Sequence, residues 1–131
     1  HSPKAKHFEL HSQITALFYW NCTNTQIRIK AEIKKTPLDF NENYFKKRSP
    51  EKNALAISSR QSEKIQSYDE VKRKYDQILR HSDLSKCPEY WGGFAFTPYY
   101  FEFWEGHESR INNRLVFEKI NNDWKKSIIQ P

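Results

Sequence analysis

Between Pro88 and Arg114 the chain reads PEYWGGFAFTPYYFEFWEGHESRINNR, a run dense in rings that gives way abruptly to cations. Trp91 and Trp104 lie inside it and Trp124 just beyond, so three of the four tryptophans belong to one region. Phe94 and Phe96 alternate with Ala95 and Thr97, and Phe101 and Phe103 with Glu102 and Trp104, which is the two-residue period of a sheet. Two short strands separated by Pro98 are expected. The Gly92-Gly93 pair ahead of them lets the backbone turn or approach another group closely. Gly106 to Ser109 then form a polar turn, followed by Arg110 and Arg114 with Asn112 and Asn113 between them. Such a segment is either a buried antiparallel hairpin ending in solvated arginines or a site with a sharper purpose. In the second case a Trp packs a flat heteroaromatic ring while guanidinium forks neutralise an anion.

The rest of the chain bounds these readings. Its 131 residues suit a single domain, and a chain of this size buries roughly two thirds of its unfolded surface. A net charge of +6 favours acidic partners, whether nucleic acid, membrane headgroups or a phosphorylated small molecule. The lysines are scattered and form no basic arm, so a nucleic-acid tail is not indicated; charge and aromatics alone support a nucleic-acid-binding domain as an outside alternative. Cys22 and Cys87 have neither a C-x-x-C pair nor a nearby His at ligand spacing, so no metal site is expected and a reduced, cytoplasmic protein is. No apolar run approaches the roughly 20 residues that span a bilayer, and no membrane association is expected. The chain opens at His1 and contains no Met, so an upstream segment is expected.

Taken in order, Ser2-Pro3-Lys4 reads as a helix start with Ser as cap and Pro in the first turn. Ile14 to Trp20 and Thr25 to Lys34 read as strands, the second with Ile27, Ile29, Ala31 and Ile33 on one face. Thr36-Pro37-Leu38-Asp39 has the cap, proline and first-turn acid of a helix running to about Lys47. Ser49-Pro50-Glu51 starts another, ending before Gln61-Ser62. Ser67 to Glu70 is a capping box, and Val71, Tyr75, Ile78 and Leu79 form one apolar stripe behind it. Leu115 to Ile120 and Trp124 to Ile129 read as a closing hairpin around Asn121-Asn122-Asp123. Without further context Tyr44 reads as core and Arg48 as solvated.

The pattern P-x-x-W-G-G-F, then F-E-F-W-E-G, then R-I-N-N-R resembles the C-terminal signature of the pyridoxamine 5′-phosphate oxidase family, and the likeness runs from about Ser2 to Pro131. The resemblance implies a mainly β, α+β fold: an FMN-binding split β-barrel with peripheral helices, without the family's N-terminal strands. It also implies a homodimer, with a dimerisation region at about residues 88–131 and FMN sites at the subunit interface. The implied activity is oxidation of pyridoxamine or pyridoxine 5′-phosphate to pyridoxal 5′-phosphate, by hydride transfer to the flavin and its reoxidation by O₂ to give hydrogen peroxide. Carried over by position, Lys4, Gln26, Gln61, Ser62, Trp104 and Arg114 would contact FMN. Tyr44, Arg48, Lys52, Arg110 and Asn112 would contact the substrate, the last two in the catalytic R-x-H-x-R run.

Three positions depart from the family, the first being Pro3, which stands where the family has a basic residue. Lys52 stands where the family has Ser, and a lysine holds a phosphate as a point charge with different geometry. Asn112 stands where the family has His, so it hydrogen-bonds but cannot be protonated. The family's upstream Arg- and Lys-containing run precedes the first residue here. Three readings follow: part of an active oxidase, a flavin-binding relative without the standard reaction, or a dimerisation module.

Overall fold

A computed structural model describes residues 2–131 of the chain. They divide into two compact units: residues up to Leu10 with Lys35–Ala95, and His11–Lys34 with Phe96–Pro131.

The first unit holds the helices α1 (Pro3–Leu10), α2 (Leu38–Lys47), α3 (Pro50–Ser58) and α4 (Tyr68–His81). Their starts follow the capping chemistry of the sequence, with one exception. Ser2 Oγ accepts the Ala5 N–H at 3.2 Å, Pro50 occupies the first turn of α3, and Ser67 Oγ accepts the Glu70 N–H at 3.3 Å. Thr36, expected to cap α2, does not cap it; Pro37 flanks the helix and contributes no side-chain bond. The Thr36 hydroxyl instead donates to Asn41 Oδ1 and accepts the Gly93 N–H at 3.1 Å, while Thr36 N–H donates to Gly93 O at 3.0 Å.

That contact accounts for the glycine pair. A Cβ on Gly93 would lie 3.1 Å from Thr36 Oγ1, and one on Gly92 would lie 3.2 Å from Asn41 Nδ2. The backbone must come this close for the Thr36 bonds to form. Phe45 and Ala54 are wholly buried in this unit. Beside them the buried Asn53 donates from Nδ2 to Phe45 O and Leu84 O, both at 2.9 Å, joining the end of α2 to the loop after α4.

The second unit holds the sheet. Among the described residues its strands are β1 (Gln13–Trp20), β2 (Thr25–Lys35), β3 (Phe94–Glu105), β4 (Asn113–Ile120) and β5 (Asp123–Ile128), hydrogen-bonded in that order. β1 pairs antiparallel with β2 from Gln13↔Glu32 to Trp20↔Thr25, and β3 with β4 from Tyr100↔Glu118 to Glu105↔Asn113. β4 and β5 close through Asn121 and Asn122, whose φ of 51° and 71° are the paired left-handed values of a tight hairpin turn.

The two strands expected around Pro98 are one. Pro98 lies before Tyr100, where the pairing with β4 begins, so its missing N–H breaks no bond to β4.

Lys30 stands over the Tyr100 ring and Arg28 binds Glu102, so the even-numbered side chains of β2 and β3 share one face. The opposite face is apolar, with Ile27, Ala31 and Ile33 buried and Phe101, Phe103, Phe117 and Trp124 in ring-to-ring contact.

The sheet turns away from β3 at Gly106, whose N–H donates to Asn24 O at 3.0 Å. A Cβ there would lie 2.8 Å from Trp104 Cη2 and closer still to the Asn24 amide, which the Tyr19 hydroxyl holds in place. Gly106→Ala is therefore expected to destabilise the chain by about 1–3 kcal/mol through overpacking. Urea unfolding measures it, and an unchanged midpoint would show that the turn yields without cost.

Candidate functional site

The polar face of the sheet is organised by Glu102, which is 2% exposed. Its Oε1 accepts from Arg114 Nε at 2.9 Å and Nη2 at 2.7 Å, and its Oε2 accepts from the Tyr100 hydroxyl at 2.9 Å and Arg28 Nη1 at 3.1 Å. Burial pushes the Glu102 carboxyl up, but the Arg114 and Tyr100 hydrogen bonds and the Arg28 charge outweigh it and hold the group below the ordinary carboxylate value. Burial, and then the carboxylate beside it, push the Tyr100 hydroxyl up. Arg114 also donates from Nη1 to Gln130 O at 3.0 Å, fastening the C-terminal residues to β4.

Three of the residues selected from the sequence meet on this face. Arg114 is the direct cross-strand partner of Trp104, and Trp104 lies two residues from Glu102 on the same side of β3. Gln26 lies two residues from Arg28 on the same side of β2. Trp104 and Gln26 are half-buried. The face thus offers an indole, an amide and guanidinium donors side by side, a combination suited to a flat ring with acceptor atoms on its edge.

Arg110 and Asn112 belong to the turn between β3 and β4. Asn112 Oδ1 accepts the His107 N–H at 3.0 Å, and Arg110 N–H donates to His107 O at 2.9 Å. Arg110 is exposed and has φ of 64°, a left-handed conformation uncommon for Arg. Asn112 therefore braces the turn that carries Arg110, which is a role its amide fills and a protonated imidazole would not.

The remaining selected residues belong to the first unit. Tyr44, on α2, is more than half exposed rather than core. It stacks on Trp91 at 6.2 Å between centroids with 14° between planes, and on Phe40 at 6.2 Å with 11°. Arg48, read as solvated, is half-buried, its guanidinium 4.9 Å from the Trp91 ring centroid. Arg48 Nη2 donates to Lys52 O at 3.2 Å, so Lys52 meets Arg48 through its backbone while its side chain is exposed. Gln61 and Ser62 are exposed at the centre of a turn closed by Glu63 N–H to Arg60 O at 3.2 Å, with Ser62 at φ of 68°. Lys4 is exposed in the first turn of α1.

Arg28, Glu102 and Trp91 were not selected from the sequence as site residues. Their signal was present: Arg28 alternates with Ile27 and Ile29, and Glu102 is the lone charge between Phe101 and Phe103. An alternating charge ordinarily means a solvated face, and only the cross-strand contacts show that Glu102 is buried within this one. Among the described residues no cluster of His, Cys, Asp and Glu could hold a metal ion, and no helix is long and apolar enough to cross a membrane.

Comparison with known proteins finds relatives in sequence and in structure. Residues 91–131 match the model for the pyridoxine 5′-phosphate oxidase C-terminal dimerisation region. Over 132 residues the chain is 33% identical to a pyridoxine/pyridoxamine 5′-phosphate oxidase of Leptospira biflexa, covering 99% of this chain and 62% of that protein. PhzG from Burkholderia lata 383, solved with tetrahydrophenazine-1-carboxylic acid, matches with a TM-score of 0.82 at 26% identity, over 99% of this chain and 64% of that one. A pyridoxamine 5′-phosphate oxidase-related, FMN-binding protein of Nostoc punctiforme PCC 73102 shares the fold, with a TM-score of 0.68 at 14% identity over 99% of this chain and 69% of that one. The chain therefore spans about three fifths of the length of the relatives it matches. The split-barrel α+β class expected from the sequence is the class observed.

The Glu102 cluster makes a pH-dependent prediction. Its folded value lies below the unfolded one, so its stabilisation is fully present above the unfolded value of about 4.3 and is lost as pH falls through the lower folded value. Glu102→Gln leaves two guanidiniums without their anion and should cost roughly 3 kcal/mol at neutral pH. The gap between wild type and variant should narrow in acid. Urea unfolding across pH checks both; equal stabilities at neutral pH would contradict the clamp.

Proposed function

The chain is similar in sequence and in fold to the C-terminal portion of the pyridoxamine 5′-phosphate oxidase family, and on that premise we propose that it carries flavin- and substrate-binding residues of an FMN-dependent oxidase of pyridoxamine or pyridoxine 5′-phosphate. The observation that carries the reading is the gathering of Gln26, Trp104 and Arg114 on one face of the sheet, since these are positions that the resemblance assigns to FMN. The donor set fits such a ring: an indole for its plane, an amide and guanidinium for its acceptor edge. When bound, FMN supplies the two-electron acceptor chemistry and its reoxidation by O₂.

The chain's own residues bind and orient. Lys4, Gln61 and Ser62 are proposed to hold the FMN phosphate, two of them on an exposed turn whose hydroxyl and amide are available as donors. Arg48 is proposed to hold the substrate phosphate, with Tyr44 and Lys52 beside it. Trp91 restricts the guanidinium from one side and the Lys52 carbonyl from another, so less freedom is lost when an anion binds. Arg110 is proposed to reach the substrate from a turn that Asn112 holds rigid. Since Asn112 carries no titratable proton, it contributes positioning and hydrogen bonding alone.

The proposed assembly is a homodimer, supported by the match of residues 91–131 to a dimerisation region. A second reading keeps the flavin and changes the substrate. It is favoured by the departures at Lys52 and Asn112 and by the likeness to a protein solved with a carboxylic acid, an anion that guanidiniums suit as well as phosphate.

The full-length protein mixed with FMN is expected to show a bound-flavin visible spectrum, bleached anaerobically by pyridoxine 5′-phosphate. Bound flavin that this substrate leaves oxidised would favour the second reading, and no bound flavin would refute both. Arg48→Ala should raise KM for the phosphorylated substrate by about ten- to a hundredfold, as expected for a lost charged hydrogen bond, with FMN affinity unchanged. An unchanged KM would remove Arg48 from the site. In sedimentation this chain should run at about twice its 15.8 kDa mass; a monomer at micromolar concentration would contradict the dimer.

A further inference from the structure

Arg28 is a cation more than the Glu102 clamp requires. Arg114 alone gives Glu102 Oε1 two bonds and a full neutralising charge, and the Tyr100 hydroxyl serves Oε2. Arg28 adds its Nη1 contact at 3.1 Å, which takes one of the five N–H donors of a guanidinium. The end of the polar face formed by Gln26, Arg28, Glu102, Trp104 and Arg114 therefore carries two positive charges and one negative. Glu118 shares this face opposite Tyr100, level with Lys30 at the Tyr100 ring, and Glu32 lies two residues beyond Lys30, opposite Gln13. A half-buried surplus cation costs free energy unless an acceptor meets it. The Arg28 side chain is 39% exposed and Arg114 24%, so both remain open to a ligand while Glu102 at 2% does not. Arg28 also lies two residues from Gln26 on one side of a strand, a separation of about 7 Å, within the span of a fused three-ring system.

We infer that Arg28 is a second guanidinium of the flavin site, donating to an acceptor atom on the edge of the isoalloxazine ring, with Glu102 as the positioning residue that holds Arg28 and Arg114 in place. The inference rests on the flavin reading above. It differs from an anion-binding role at the FMN phosphate, because Gln26 and Trp104, the neighbours of Arg28 on this face, are suited to the ring.

The test is a pair of titrations, with FMN and with riboflavin, of the full-length wild type, Arg28→Gln and Arg28→Lys, followed by flavin fluorescence and by the reduction potential of the bound flavin. Arg28→Gln should raise Kd about tenfold for both flavins, the loss of one charged hydrogen bond, and lower the potential by removing a positive charge beside the ring. Arg28→Lys keeps the ion pair with Glu102, and so the fold, but lacks the planar fork; its Kd should lie between the other two. Wild-type Kd and potential in both variants would overturn the inference and leave the flavin reading standing. Weakened FMN binding with unchanged riboflavin binding would move Arg28 to the phosphate and likewise overturn it. A wild type that binds neither flavin would overturn the flavin reading and this inference with it.

Discussion

A carboxylate at 2% exposure is tolerated only because its charge is met in place, and Glu102 is met from three strands. Arg28 reaches it from β2, Arg114 from β4, and Tyr100 from its own strand, so one side chain cross-links the middle of the sheet. Register depends on this clamp. A slip of one residue would turn Glu102 into the face occupied by Phe101, Phe103 and Phe117, where no donor would meet its charge. The clamp also fixes what the polar face presents, because Arg114 is set against Trp104 and Arg28 beside Gln26 by the same bonds. Architecture and proposed ligand chemistry therefore share one cause.

Much of this was legible in the sequence where the signal is local. Ser2, Ser49 and Ser67 mark helix starts because a hydroxyl or proline acts within one turn, and Asn121-Asn122 marks the hairpin because asparagine tolerates left-handed φ. The failures have long-range causes. Thr36 has the chemistry of a cap but is drawn off by Gly93, 57 residues away in the chain. Pro98 reads as a strand breaker, and it is one only where a partner needs its N–H. Tyr44 has the spacing of a core residue and is exposed, because the interior position on that helix goes to Phe45.

The stretch from Pro88 to Arg114, one block in the sequence, serves two units. Up to Ala95 it belongs to the first, where Gly92 and Gly93 allow the Thr36 and Asn41 contacts and Trp91 packs Tyr44 and Arg48. From Phe96 it belongs to the second, where Glu102 and Trp104 build the polar face. Both parts use the same device: an indole beside a guanidinium whose freedom is restricted by a second bond, from the Lys52 carbonyl in one case and the Glu102 carboxylate in the other. Such preorganisation lowers the entropy lost on binding an anion or an acceptor-edged ring.

The claim that the Glu102-organised face receives a flavin ring is tested most directly by the indole N–H signals of the full-length protein in nuclear magnetic resonance. The Trp104 signal is identified by its loss in Trp104→Phe. On addition of FMN that signal should shift, while those of Trp20 and Trp124, outside the proposed ring site, should stay. A protein that binds FMN and leaves the Trp104 signal unmoved would contradict the account.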